Sequence, residues 1–152
     1  ALSSIGQYDV AASPLQMAMV AAGIANDGVL MEPYLTRSVR AANLQTVWSH
    51  KDTPMSTPMT RKSAKQLQEM MVSVVNNGTG RNARISGVTV GGKTGTAQTS
   101  PDKPPYAWFV GWSDKPKVAV AVFVESSNTE RSEIAGGRLG APIARDVIEA
   151  LR

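Results

Sequence analysis

Val118-Ala119-Val120-Ala121-Val122-Phe123-Val124 decides the fold class. A strand divides its side chains between two faces with a period of two. Here both faces are apolar: Val118, Val120, Val122 and Val124 on one, and Ala119, Ala121 and Phe123 on the other. Such a strand belongs in a sheet covered by helices on both sides. On its N-terminal side, Ser113-Asp114-Lys115-Pro116-Lys117 reads as a hairpin turn, with Ala107-Trp108-Phe109-Val110-Gly111-Trp112 as the partner strand. Val88-Thr89-Val90, β-branched and alternating, opens a further strand. Beyond the sheet, Pro142 to about Leu151 predicts a closing helix with Ile143, Val147, Ile148 and Leu151 to one side. The expected fold class is α/β of the α+β type, an antiparallel sheet flanked by helices on both faces.

The first part of the chain is helical in pattern. Ser13-Pro14-Leu15-Gln16 is a helix start: Ser13 can accept from the first-turn amides, Pro14 suits the first helical position and Gln16 completes a capping box. The helix that follows, Met17 to Ala25, is apolar on every face, as in a helix buried within a larger protein. Asn26-Asp27-Gly28 ends it. Thr36 to Thr60 has weak periodicity and reads as a short hairpin or loop, with His50 as a solvated surface residue. A second helix is expected over about Arg61 to Asn77, with Leu67, Met70, Met71, Val74 and Val75 as its apolar stripe. The chain thus divides into a helical portion at about 1–80 and a sheet with its closing helix at about 85–152.

Composition narrows the functions available. With 152 residues, 42% hydrophobic and a net charge of +4, the chain suits one folded domain and not a disordered segment. The absence of cysteine excludes a disulfide scaffold, a thiolate metal site and a cysteine nucleophile. A single histidine leaves no basis for a metal cluster or a histidine triad. The basic residues are scattered and few aromatics interleave with them, which argues against nucleic acid as a partner. Ala1-Leu2-Ser3-Ser4-Ile5-Gly6-Gln7 carries no initiator methionine and reads as the interior of something longer.

One stretch supports two chemistries. Gly87-Val88-Thr89-Val90-Gly91-Gly92-Lys93-Thr94 satisfies the phosphate-loop pattern GxxxxGK[ST], which would make Lys93 a phosphate ligand and Thr94 a magnesium ligand of an NTPase. That loop must open a helix, whereas Gly95-Thr96-Ala97-Gln98-Thr99-Ser100-Pro101 follows, with Pro104-Pro105 close behind. The other reading makes Lys93-Thr94-Gly95-Thr96 part of an edge strand. Thr94 and Thr96 then share one face, with Lys93 on the other and able to project into a groove at the rim. Gly95 admits close approach to the backbone. The set suits an acyl-acceptor site: hydroxyls for a carboxylate, a cation for potential and an amide for an oxyanion.

The surroundings of that stretch carry a resemblance. Ser13-Pro14-Leu15-Gln16-Met17-Ala18, Ala25-Asn26-Asp27-Gly28, Gly78-Thr79-Gly80, Gly91-Gly92-Lys93-Thr94-Gly95-Thr96-Ala97-Gln98 and Ala107-Trp108-Phe109-Val110-Gly111, with Ile5-Gly6-Gln7 before them, follow one family's order and spacing. The chain resembles the later half of the transpeptidase domain of class B, high-molecular-mass penicillin-binding proteins, most of all the actinobacterial members. The resemblance implies a β-lactamase/transpeptidase-like fold and a serine-type D,D-transpeptidase that cross-links peptidoglycan stem peptides and is acylated by β-lactams. It makes Lys93-Thr94-Gly95 the third active-site motif. Lys93 is then the electrostatic partner, Thr94, Gly95 and Thr96 bind substrate, and the Thr96 amide serves the oxyanion hole. No cofactor and no metal are implied. The implied partners are the remainder of the transpeptidase domain and other cell-wall synthesis proteins, on the outer face of the cytoplasmic membrane, held by an N-terminal anchor outside this chain.

The family's nucleophile motif, S-x-x-K, and its middle motif, S-x-N, precede K-T-G. Ser100-Pro101-Asp102-Lys103 and Ser126-Ser127-Asn128 imitate them but follow Lys93, and both read as coincidences. The nucleophile is therefore expected outside this chain. A serine β-lactamase and a β-lactam sensor domain share the fold and remain alternatives.

Overall fold

The computed structural model describes residues 10–98 and 103–152. Helix α1 (Pro14–Ala25) starts as its sequence dictates: the Gln16 amide donates to Ser13 Oγ at 3.2 Å and the Ser13 amide to Gln16 Oε1 at 2.8 Å. This reciprocal box satisfies two amides that have no partner within the helix. Helix α2 (Arg61–Asn77) is capped by Thr60, whose hydroxyl accepts from the Ser63 amide at 3.1 Å. Between the helices, β1 (Leu30–Met31) pairs with β4 (Pro54–Ser56), and β2 (Ser38–Arg40) with β3 (Thr46–Ser49). The expected hairpin is the second pair; the first was not anticipated. His50 is not simply solvated. It is half-buried, stacked on Tyr34 with ring centroids 3.7 Å apart.

Among the described residues, β5 (Val90–Ala97), β6 (Tyr106–Asp114) and β7 (Lys117–Val124) form an antiparallel sheet in that order. Its faces carry different cores. Phe109, fully buried, gathers Val75, Ile85, Val122, Ala141, Ala144 and Ile148 on one face. Trp112 gathers Ile24 and Met71 on the other. Burying a side chain as large as Phe109 contributes about 1.5–3 kcal/mol. Helix α1 covers the Trp112 face and α3 (Ala141–Ala150) the Phe109 face. Helix α2 runs beside β5 and contributes to both, Met71 to one core and Val75 to the other. The α+β layering read from residues 118–124 is thus the one observed.

Three details depart from expectation. The strand expected from Val88 begins at Val90, because Val88 bridges back to Ile85 across a turn in which Gly87 takes φ +72°. In α3 the buried residues are Ala141, Ala144 and Ile148, while Ile143, Val147 and Leu151 are exposed. Small residues let the helix backbone lie close to Phe109, and that close approach outranks side-chain size in choosing the buried face. In α2, Ala64 joins Met71 and Val75 inside, and Met70 is turned out. Among the described residues no helix is long and apolar enough to cross a membrane.

Candidate active site

The K-T-G stretch lies on β5, at one edge of the sheet, with Lys93 opposite Val110, Thr94 opposite Phe109 and Gly95 opposite Trp108. The phosphate-loop reading is overturned here. Gly87 closes a tight turn, Lys93 and Thr94 lie inside the strand Val90 to Ala97, and among the described residues no helix opens directly after them, as the phosphate loop requires. The glycines of the pattern have a packing role instead. A β-carbon on Gly91 would come within 2.5 Å of the Trp112 indole, and one on Gly92 within 2.3 Å of the Phe109 ring. Aromatic rings of β6 therefore close over the backbone of β5 on both faces, and register is pinned just before the lysine.

Lys93 is exposed, and its ammonium turns back to the rim of the strand, donating to the Thr94 carbonyl. Thr94 and Gly95 are half-buried and Thr96 is exposed. Thr94 points to the Phe109 face, where its hydroxyl lies 2.7 Å from the hydroxyl of Thr79. Two hydroxyls in one hydrogen bond use one proton between them and retain the other for a ligand. The structure therefore brings Lys93, Thr94, Gly95 and Thr96 together along one strand edge and adds Thr79, which no sequence role singled out. Its signal was the Gly78-Thr79-Gly80 triplet that ends α2.

A second unanticipated component lies beneath the strand. A π turn, Gly136–Gly140, precedes α3 and rests on the Phe109 face of the sheet. A β-carbon on Gly136 would stand 1.8 Å from the Trp108 carbonyl oxygen and 2.8 Å from that of Gly95. One on Gly137 would stand 2.2 Å from the Thr79 carbonyl oxygen and 3.4 Å from Thr94 Cγ2. The two glycines let this turn press against the K-T-G backbone and the Thr79 loop together. The look-alike Ser126-Ser127-Asn128 sits in the loop after β7, where Ser127 and Thr129 pair their hydroxyls at 2.6 Å. Ser100, Pro101 and Asp102, like Ile5-Gly6-Gln7, lie outside the described residues.

Among the described residues no three His, Asp or Glu side chains converge as metal ligands. The donors assembled at the edge are an ammonium, hydroxyls and backbone amides, a set suited to an anionic oxygen ligand. Residues 1–149 match the family model described as the penicillin binding protein transpeptidase domain. The chain belongs to the penicillin-binding transpeptidase family. It is 42% identical over 154 residues to the peptidoglycan D,D-transpeptidase PbpA of Mycolicibacterium smegmatis, covering 98% of this chain and 31% of that protein. The PbpA of Mycobacterium tuberculosis is 40% identical over the same coverage. A solved structure of penicillin-binding protein A from M. tuberculosis, an imipenem acyl-enzyme complex, matches with a TM-score of 0.84 at 38% identity, over 99% of this chain and 33% of that one. The resemblance drawn from the motifs, its actinobacterial flavour included, is borne out. The chain spans about a third of the length of these transpeptidase relatives.

Proposed function

We propose that this chain is the C-terminal part of a peptidoglycan D,D-transpeptidase domain and forms one wall of its catalytic cleft. The observation that carries the reading is the K-T-G edge strand, with Lys93 at its rim and Thr94 paired to Thr79 at 2.7 Å. Relatives named D,D-transpeptidase and a neighbour solved as an acyl-enzyme support it. In the complete enzyme a serine on the portion this chain does not span attacks the D-alanyl-D-alanine carbonyl of a stem peptide. The terminal D-alanine leaves with the serine's proton, and an acyl-serine ester remains. The amine of a neighbouring stem then attacks that ester, giving a new amide and restoring the serine hydroxyl. β-Lactams acylate the same serine by opening their ring.

The roles of this chain's residues follow from their chemistry. Lys93 supplies positive potential toward the substrate carboxylate and the developing negative charge. Thr94 and Thr96 offer it hydroxyls, with the Thr79 partner orienting that of Thr94. Gly95 lets the substrate backbone lie against the strand, and the Thr96 amide completes the oxyanion hole. Stem peptides and β-lactams are the ligands, and the remainder of the domain and other cell-wall synthesis proteins the partners. The site of action is the outer face of the cytoplasmic membrane.

The test is Lys93→Ala in the complete enzyme, followed by acylation with a fluorescent penicillin. Loss of a preorganised electrostatic contact costs about 2.7–4 kcal/mol, or roughly 10²–10³-fold in rate. The thermal midpoint should scarcely move, since the side chain is exposed. An adduct that persists, instead of turning over, separates the transpeptidase from a β-lactamase on the same fold. Unchanged acylation in Lys93→Ala removes the central claim.

A further inference from the structure

We propose that Asn82 is a positioning residue for the carboxylate-binding side of the K-T-G strand, an inference that rests on the function proposed above. Asn82 lies in the short 3₁₀ turn Arg81–Ala83, two residues beyond Gly80. Its Nδ2 donates to the Gly137 carbonyl at 2.8 Å, a bond between groups 55 positions apart in sequence. Gly137 is the residue whose space is bounded by the Thr79 carbonyl on one side and Thr94 Cγ2 on another. One side-chain amide thus ties the loop carrying Thr79 to the turn that underlies Thr94.

The arrangement has little slack elsewhere. Gly136 is already pressed on the Trp108 and Gly95 backbone, so the π turn cannot sink further. On the Thr79 side the Asn82 bond adds a tether against rising to the hold of α3, which follows the turn directly. If the turn lifts, Gly137 leaves both threonines, and their 2.7 Å hydroxyl pair loses its backing. Asparagine fits the task because it has a donor on a short stem: alanine has none, aspartate sets oxygen against oxygen, and glutamine keeps the donor one methylene further out. The neighbour Ala83 anchors the 3₁₀ turn in the core while Asn82 itself is exposed. Substitution at 82 therefore acts on the site without opening the core.

The experiment uses the complete enzyme, with Asn82→Ala, Asn82→Asp and Asn82→Gln. Acylation rates are measured with a penicillin and with its methyl ester, which lacks the free carboxylate, and amide hydrogen exchange is followed at residues 94–96 and 136–138. Displacing a positioning group by about 1 Å can cost up to 10²-fold. Asn82→Ala should therefore slow the free penicillin by roughly 10-fold or more, with the aspartate variant slower still and the glutamine variant partly restored. The ester should lose less than the free penicillin, because it brings no negative charge to the carboxylate contacts, although its acylation still draws on the Thr96 amide of the oxyanion hole. Exchange should quicken at both segments while the thermal midpoint stays in place. Equal loss on both penicillins, full retention of the wild-type preference for the free carboxylate, or unchanged exchange each overturns the role of Asn82 and leaves the functional reading standing. A wild-type enzyme that neither penicillin acylates overturns both.

Discussion

The strand pairs β5–β6 and β2–β3 are both antiparallel, yet they are held in different ways. Eight consecutive residue pairs of β5–β6 keep one register, from Val90 opposite Ser113 to Ala97 opposite Tyr106. The β2–β3 pair shifts register after Val39 and exposes every residue it contains. Its turn is made by local bonds, Asn43 accepting from the Gln45 amide at 3.1 Å, with Leu44 at φ +66°. In β5–β6 the constraints come from far along the chain: rings on Gly91 and Gly92, and the π turn on Gly95. Precision is concentrated on the strand that carries the hydroxyls and ammonium of the proposed site, and a binding site needs a rigid support.

The difference can be broken most directly at Gly136. Gly136→Ala places a β-carbon against backbone atoms that cannot rotate away, and overpacking of this kind costs about 1–3 kcal/mol. A lowered denaturation midpoint and slower penicillin acylation are expected together in the complete enzyme. If both match the wild type, β5–β6 is no more constrained than β2–β3.

A smaller effect is expected at the α1–α2 junction, where Asp27 meets Lys65 at 2.7 Å and Arg61 at 3.0 Å. The hydrogen bond from Lys65 holds the Asp27 carboxyl below its ordinary value; burial, the next-largest effect, opposes it, and Gln68 and the charges of Lys65 and Arg61 add to the lowering. A carboxyl with a lowered folded-state pKa adds stability above the ordinary aspartate range, and that stability is lost as pH falls through the lower, folded value. Asp27→Asn should therefore be less stable than wild type at neutral pH and converge with it in acid. Because the half-buried group still reaches solvent and is screened, the gap should be small. A gap that persists unchanged to low pH would point to packing, not charge.

The smallest effect is expected in the β2–β3 hairpin. Val47 is 64% exposed, and Val47→Thr should change stability by no more than about 0.5 kcal/mol. A loss several times larger in a urea titration of the complete enzyme would mean that this hairpin is covered there, and would narrow the contrast with β5–β6.

Much of this was legible along the chain. Residues 118–124 predicted the sheet and its two helix layers, Ser13-Pro14-Leu15-Gln16 predicted the capping box, and the K-T-G stretch was correctly placed on a strand edge. Those are local properties: side-chain period, cap chemistry and the presence of a helix breaker after Thr96. The α2 stripe holds except for Met70, whereas the buried face of α3 was misjudged because hydrophobicity ranks Ile143 above Ala144 and close packing selects the small residue.

The sequence by itself determined the layer architecture, the family and the residues of the K-T-G motif, since each is written in neighbouring positions. Only the tertiary structure decided that Gly91 and Gly92 serve aromatic rings instead of phosphates, and that Thr79 pairs with Thr94. It alone decided that Asn82 reaches Gly137 from 55 positions away. No local pattern records such contacts. They arise where separate segments, each foldable in many positions, are forced into one by the space a missing side chain leaves.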